Sequence, residues 1–305
     1  MIVGSRTLAR IMVLAAKVAP TGCTVLITGE TGTGKEVVAR TIHDHGNRSN
    51  GPFLAVNISN IPENLIESQL FGHTHGAFTG ADSTREGVFV SAETGTLLLD
   101  EVDDLPLHLQ PKLLRALEMK AVHPVGSDCP RPVDVRIIAA TSQNLDSLTE
   151  QGKFRLDLFY RLNVIHLEIP PLRERPEDIP LLANYFIDRF SRVFRKSSKA
   201  LGPDAQAFML RYSWPGNVRE LEHVIEHAVI LSEGDQIGLK DFPDELVAAH
   251  SDYPDNLKQA VSEFKRAFVK STLDRCHGDS DEAARELGIS VSTLYRTIET
   301  TSLAS

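Results

Sequence analysis

Cysteine is scarce in this chain: Cys23, Cys129 and Cys276 stand far apart among 305 residues. With no CxxC pair there is neither a disulfide framework nor a thiolate zinc site, and reduced thiols in the cytoplasm are expected. Long apolar runs are also missing, since no stretch approaches the roughly 20 residues needed to cross a bilayer. The N-terminal stretch breaks its apolar residues with Arg6, Arg10 and Lys17, so it reads as an amphipathic helix, not a signal peptide. An excess of positive charge is absent too; the net charge of −9 argues against indiscriminate coating of nucleic acid, although a small local DNA reader remains compatible. The pairs His43/His45 and His73/His75 lack the further ligands a metal would need, and His43 and His45 are expected on the solvated surface.

What is present centres on Thr24-Val25-Leu26-Ile27-Thr28-Gly29-Glu30-Thr31-Gly32-Thr33-Gly34-Lys35-Glu36. An apolar β-branched run leads into a glycine-rich turn, and the turn into a lysine that opens a helix. Phosphate oxygens need inward-pointing backbone N–H groups, and glycine lets the backbone come close enough to supply them. A helix N-terminus adds its positive dipole end, and the Lys35 ammonium reaches the outer phosphates. The spacing is that of a P-loop, except that Glu36 stands where a Ser or Thr usually ligates Mg²⁺.

Further apolar runs follow, alternating with helical patterns: 53–57, 96–101, 135–140 and 164–169 read as strands. The alternation predicts a parallel sheet with helices on both faces. Asp100 and Glu101 close a continuous apolar strand, where open α/β sheets bind ligands. Asp100 suits a hydrated Mg²⁺, and Glu101 suits polarising a water. Asn57, at the end of its strand, either caps the next turn or holds a catalytic group. Gly72 to Ala81 is small and flexible around one large residue; Phe78 is either tucked beneath the loop or presented with Thr79 to a partner. Helices are expected at 107–119 and 179–194, and Ile11, Leu14, Ala15 and Val18 fall at the spacing of one helical face near the N-terminus. In the tail, Ala283, Ala284 and Leu287 face inward, Gly288 ends a helix and Ser290 caps the next. That pattern is a helix-turn-helix with Ser292, Thr293, Arg296 and Thr297 outward, or else a plain helical hairpin.

Taken together these motifs resemble the sigma-54-dependent transcription activators, the bacterial enhancer-binding proteins of the AAA+ ATPase class. The likeness covers essentially the whole chain, and Gly76-Ala77-Phe78-Thr79-Gly80-Ala81 matches the family's signature loop without a change. The resemblance implies a five-stranded parallel-sheet P-loop AAA+ subdomain at 1–172, an all-helical lid at 173–243, a linker at 244–256 and a Fis-type DNA-binding domain at 257–305. It makes Glu36 the usual residue after the P-loop lysine, so that Gly29, Glu30, Thr31, Gly32, Thr33, Gly34, Lys35 and Glu36 hold ATP. Asp100 and Glu101 become the Walker B acids, and Asn57 the residue restraining the catalytic glutamate. Thr141, followed by Ser142, lies at sensor I, and Arg219 at sensor II. Arg155 and Arg161 reach into a neighbouring subunit's site, which implies a homo-hexamer. Expected partners are ATP and Mg²⁺, sigma-54 with RNA polymerase through residues 76–81, and upstream DNA. No membrane is involved. Three charged positions common in relatives are replaced by Val88, Val90 and Pro124, which predicts apolar packing in place of a charged relay to the loop. No regulatory domain precedes Ile2-Val3-Gly4, so control is expected from a separate protein, unless the chain was cut. The rivals are an AAA+-fold DNA-binding regulator without remodelling activity, and an AAA+ machine acting on another protein.

Overall fold

A computed structural model describes residues 2–197 and 199–248, and in the tail residues 269, 272, 276, 280–291, 293 and 294. The chain forms two compact units, Met1–Pro243 and Asp244–Ser305.

The first unit is built on a five-stranded sheet. Its strands are β1 (Val25–Thr28), β2 (Phe53–Asn57), β3 (Thr96–Asp100), β4 (Arg136–Thr141) and β5 (Ile165–Glu168), in the spatial order β2-β3-β4-β1-β5. Every pairing is parallel, with Leu98 opposite Ile138 and Ile27 opposite Ala140. Side chains alternate across such a sheet, so each strand feeds two cores. Leu26, Leu97, Leu99, Ile137 and Ala139 enter one core, whereas Val25, Ile27, Leu98, Ile138 and Ala140 enter the other. Parallel pairing also brings all five carboxyl ends to one edge, where Gly29, Asn57, Asp100 and Thr141 come together.

Helix α1 (Arg6–Val18) is capped by the Ser5 hydroxyl, which accepts from the Leu8 N–H at 3.3 Å. Its buried stripe is Leu8, Ala15 and Val18; Leu14, expected on that stripe, falls outside it and is exposed. At the other end Arg136, buried within β4, donates to the carbonyls of Val18 and Ala19 at 3.0 and 2.6 Å. This side chain supplies donors that a helix C-terminus lacks. Helix α2 (Lys35–Asp44) follows the glycine turn, and α3 (Gln110–Met119) and α4 (Leu156–Leu162) pack below the sheet's other face. The periodic run from Leu107 thus becomes helical only at Gln110, because Leu107 is half exposed and Pro106 and Leu109 form the turn before it. His43 is buried, not solvated: its Nδ1 lies 3.0 Å from the Thr96 hydroxyl.

The lid contains α5 (Asp178–Val193), α6 (Pro203–Arg211) and α7 (Asn217–Leu231). To the expected helices it adds one two-residue parallel pair, Ala200–Leu201 with Gln236–Ile237. The fully buried Trp214 anchors it, donating from Nε1 to the Met209 carbonyl at 2.8 Å.

In the second unit, Asp244–Ala248 is helical at the start of the stretch expected to be a linker. The helix Ser280–Glu286 ends at Gly288, whose φ of +66° belongs to the left-handed region, and the Ile289 N–H donates back to Ala284 at 3.0 Å. Ser290 then accepts from the Thr293 N–H, as an N-cap does, and Leu294 packs with Ala283 and Ala284. Ser292, Arg296 and Thr297 lie outside the described residues.

Candidate functional site

The glycine turn after β1 depends on backbone conformations that other residues resist. Gly32 and Gly34 have φ of +80° and +104°, and Gly34 leads directly into α2. A Cβ on Gly32 would also overlap the Gly216 carbonyl oxygen, so the turn lies pressed against the entrance to α7. Lys35 at the first position of α2 is buried. Its Nζ donates to the Gly29 carbonyl at 2.9 Å and lies 3.4 Å from Glu101 Oε1.

The two acids at the end of β3 have different surroundings. Asp100 Oδ2 accepts from Asn57 Nδ2 at 3.4 Å, while its buried Oδ1 has no protein partner. Burial, followed by the Glu101 charge, pushes the Asp100 carboxyl above its ordinary value. An acid so placed fits a cation, which would relieve both the orphan oxygen and the repulsion. Among the described residues no group of three or more His, Cys, Asp or Glu could by itself hold a metal. The donor set therefore fits a hydrated ion shared with phosphate oxygens better than a caged one. Glu101 follows in left-handed backbone (φ +50°), and its Oε2 accepts from both the N–H and the hydroxyl of Ser142 at 2.9 Å.

Of the two residues expected at sensor I, Ser142 is the one that meets Glu101. The Thr141 hydroxyl turns away and donates to Asp103 at 2.5 Å. Asn57 touches Asp100 and not Glu101, and its Oδ1 is taken by the Ser59 hydroxyl at 2.5 Å. Arg219, on α7, lines the same cleft of about 710 Å³ as Thr31, Gly32, Lys35, Glu36, Asn57, Asp100 and Glu101. A second cavity of about 370 Å³ adjoins Gly34, with Ile2, Val37, Leu182, Tyr185, Phe186 and Val218 among its walls. A flat apolar ring would fit there, beside the loop that fits phosphates.

Arg155 and Arg161 do not line that cleft. Arg155 is exposed and pairs with Asp157 at 2.6 and 3.0 Å, while Arg161 donates to the Leu117 carbonyl at 3.0 Å. Leu156, Tyr160, Val164 and Met119 are exposed apolar residues on and near α4.

The signature loop sits on a short antiparallel pair, Gly72–His73 with Arg85–Glu86. Inside it the N–H of Gly76 donates to Ala81, and that of Ala81 to Phe78. Thr79 is exposed; Phe78 is 39 % exposed, its ring edge-on to the His73 imidazole at 5.1 Å. Phe78 is thus neither fully tucked beneath the loop nor free of it. His73 is buried and bonded to Ser68 at 2.7 Å. Val125 braces the loop base, exchanging backbone bonds with Gly72 and Thr74. Val88 and Val90 pack against the main core, and Phe89 stacks on Phe71 at 5.7 Å.

Sequence reasoning missed two further residues at the turn. Arg173 grips Glu30 with both terminal nitrogens, at 2.6 and 2.9 Å, and Asn217 reaches the same carboxylate at 3.1 Å. Arg173 in Leu172-Arg173-Glu174-Arg175 carried no periodic signal. Asn217 stood in a turn motif, where a backbone role accounts for an asparagine.

Residues 1–168 match the Sigma-54 interaction domain, 173–259 the AAA+ ATPase lid domain and 261–299 the Fis-family bacterial regulatory protein domain. The chain is 46 % identical over 282 residues to the transcriptional regulatory protein ZraR of Escherichia coli, covering 92 % of this chain and 64 % of that one. It is 45 % identical over 284 residues to the regulatory protein AtoC of the same organism, covering 90 % and 62 %. It thus spans less than two thirds of these relatives' length. A crystal structure of NtrX from Brucella abortus in complex with ADP matches with a TM-score of 0.79 at 33 % identity, covering 98 % of this chain and 69 % of that one. With its sheet, its lid and its tail all accounted for, the chain belongs to the sigma-54-dependent transcriptional regulators and carries their ATP-binding AAA+ domain.

Proposed function

We propose that this protein hydrolyses ATP in a homo-hexameric ring and thereby remodels sigma-54 RNA polymerase from a closed to an open promoter complex. One observation carries the reading: a buried lysine on a glycine turn and a glutamate poised by Ser142 meet 3.4 Å apart in one cleft. The first is a cation for phosphates and the second a base for water, the two groups that phosphoryl transfer to water needs most.

The backbone N–H groups of residues 29–36 hold the phosphate chain, and Lys35 exchanges its contact with Glu101 for the outer phosphate oxygens. That exchange frees Glu101 to orient a water and accept its proton. Mg²⁺ held through water at Asp100 would offset charge on the phosphate oxygens. Thr141, through Asp103, keeps the acid-bearing turn in place, while Arg219 approaches from the lid. Arg155 and Arg161 leave their local partners and enter the next subunit's cleft. There they act as arginine fingers, typically worth ~10³–10⁵ in rate. Motion at the loop base carries Gly76, Ala77, Phe78, Thr79, Gly80 and Ala81 onto sigma-54. The tail, with Ser292, Thr293, Arg296 and Thr297 on DNA, keeps the ring near its promoter and raises local concentration.

Capture of sigma-54 in the presence of a transition-state nucleotide analogue is the expected result. Binding to DNA without capture of sigma-54 would overturn the remodelling reading.

A further inference from the structure

The entrance to the lid lies residue against residue on the phosphate turn. Asn217 Nδ2 donates to Glu30 Oε2 and to the Thr31 carbonyl, both at 3.1 Å, and the Val218 N–H donates to the Gly32 carbonyl at 3.0 Å. On its other side Asn217 Oδ1 accepts from the Leu172 N–H at 2.7 Å, within the segment joining β5 to the lid. The next residue, Arg173, closes the cluster by gripping Glu30. Asn217 is fully buried, with φ of +53°, a conformation asparagine tolerates better than most residues. Its carboxamide meets oxygens with its nitrogen and an N–H with its oxygen, so each polar face has the partner its chemistry requires. Asn217 itself has no exposure, so a bond lost on its side leaves an unpaired buried group, which is costly.

We propose that Asn217 is a positioning residue: it locks the phosphate turn to the lid, so that the turn's adjustment to nucleotide becomes movement of α7. This rests on the ATPase reading above. Glu30 and Thr31 face the lid, so they transmit a change in the turn without needing to touch the phosphates. Arg173 holds the Glu30 carboxylate toward Asn217 and also lowers its pKa below the ordinary carboxylate value, favouring the charged form.

The chain carries a reporter, because its single tryptophan, Trp214, is buried and its carbonyl accepts the Asn217 N–H at 2.8 Å. The discriminating variant is Asn217→Asp, which keeps the shape and the tolerated φ but sets a carboxylate oxygen against Glu30 and Thr31. In the unaltered chain, ATP addition should change Trp214 emission. In Asn217→Asp that change should vanish, with kcat down on the order of 10–100-fold and KM within about threefold. Adding Glu30→Gln to Asn217→Asp restores a donor facing an acceptor, and should recover part of both signals. Arg173→Gln, at the exposed rim of the cluster, should weaken the emission change without threatening the fold. Binding of a fluorescent ATP analogue is measured in parallel. An unaltered chain that binds the analogue without a Trp214 response, an Asn217→Asp chain that responds normally, or a double variant no better than the single one would each overturn the lock alone. An unaltered chain that binds no nucleotide would overturn the ATPase reading and the lock with it.

Discussion

Lys35 holds the carbonyl of Gly29 with one donor and faces Glu101 with another, so its removal strips the cleft of its buried cation. Lys35→Ala is expected to abolish ATP binding in titration calorimetry while the far-ultraviolet dichroism stays that of the folded chain; retained binding would remove Lys35 from its role. Glu30 gives a pH-dependent counterpart. Its pKa is pushed down, first by the Arg173 hydrogen bond and then by that of Asn217, so the charged form is favoured. A carboxyl with a depressed pKa contributes stability above its unfolded value and loses it as pH falls through the folded value. Melting temperature measured from about pH 5 down to about pH 3 should therefore fall less steeply in Glu30→Gln than in the unaltered chain. Equal slopes would mean that the clasp contributes nothing. Residue types at the cleft were legible in sequence, since glycines, a lysine and paired acids have few other reasons to share that spacing. Their partners were not: whether Ser142 or Asn57 meets Glu101 depends on how β2, β3 and β4 align, which no local pattern encodes. Arg136 as a helix cap was hidden for the same reason, as its target lies 117 residues away.

At the scale of elements, the inner strands β1, β3 and β4 were legible because parallel strands buried on both faces read as apolar runs, whereas the edge strands β2 and β5 are only half-buried. Helix faces and ends were less legible: Leu14 lies within α1 but off its buried stripe, and Leu107 precedes the helix that starts at Gln110. Leu98 lies at the centre of the sheet with no exposure, so Leu98→Ala is expected to cost about 2–5 kcal/mol in urea unfolding. A cost near zero would contradict its place in the core. The signature loop makes the opposite demand, rigidity at the base and freedom at the tip. Thr79 is exposed, so Thr79→Ala should leave ATP hydrolysis near its starting rate while open-complex formation in a transcription assay is lost. Normal transcription would contradict the role assigned to the tip. Gly126 has φ of +81°, and a Cβ there would come within 2.8 Å of the Ala77 Cβ. Gly126→Ala should therefore displace the loop base and reduce sigma-54 capture without changing ATP affinity; unchanged capture would argue against bracing by that segment.

The whole molecule carries its phosphate cleft in one place and its proposed finger arginines in another. Arg155 and Arg161 are occupied within their own chain by Asp157 and the Leu117 carbonyl, beside exposed Leu156 and Tyr160. On the proposed reading, a second copy of the chain completes both this surface and the cleft. Catalysis that needs two copies must depend on how many copies meet. The direct test is the ATPase rate per subunit, followed as protein concentration is raised through assembly, for the unaltered chain and for Arg155→Ala and Arg161→Ala. The rate should climb steeply with concentration and then level off, and either variant should remain at the low rate even when fully assembled. A rate per subunit that is flat from the monomer upward, with both variants as active as the unaltered chain, would contradict the shared site.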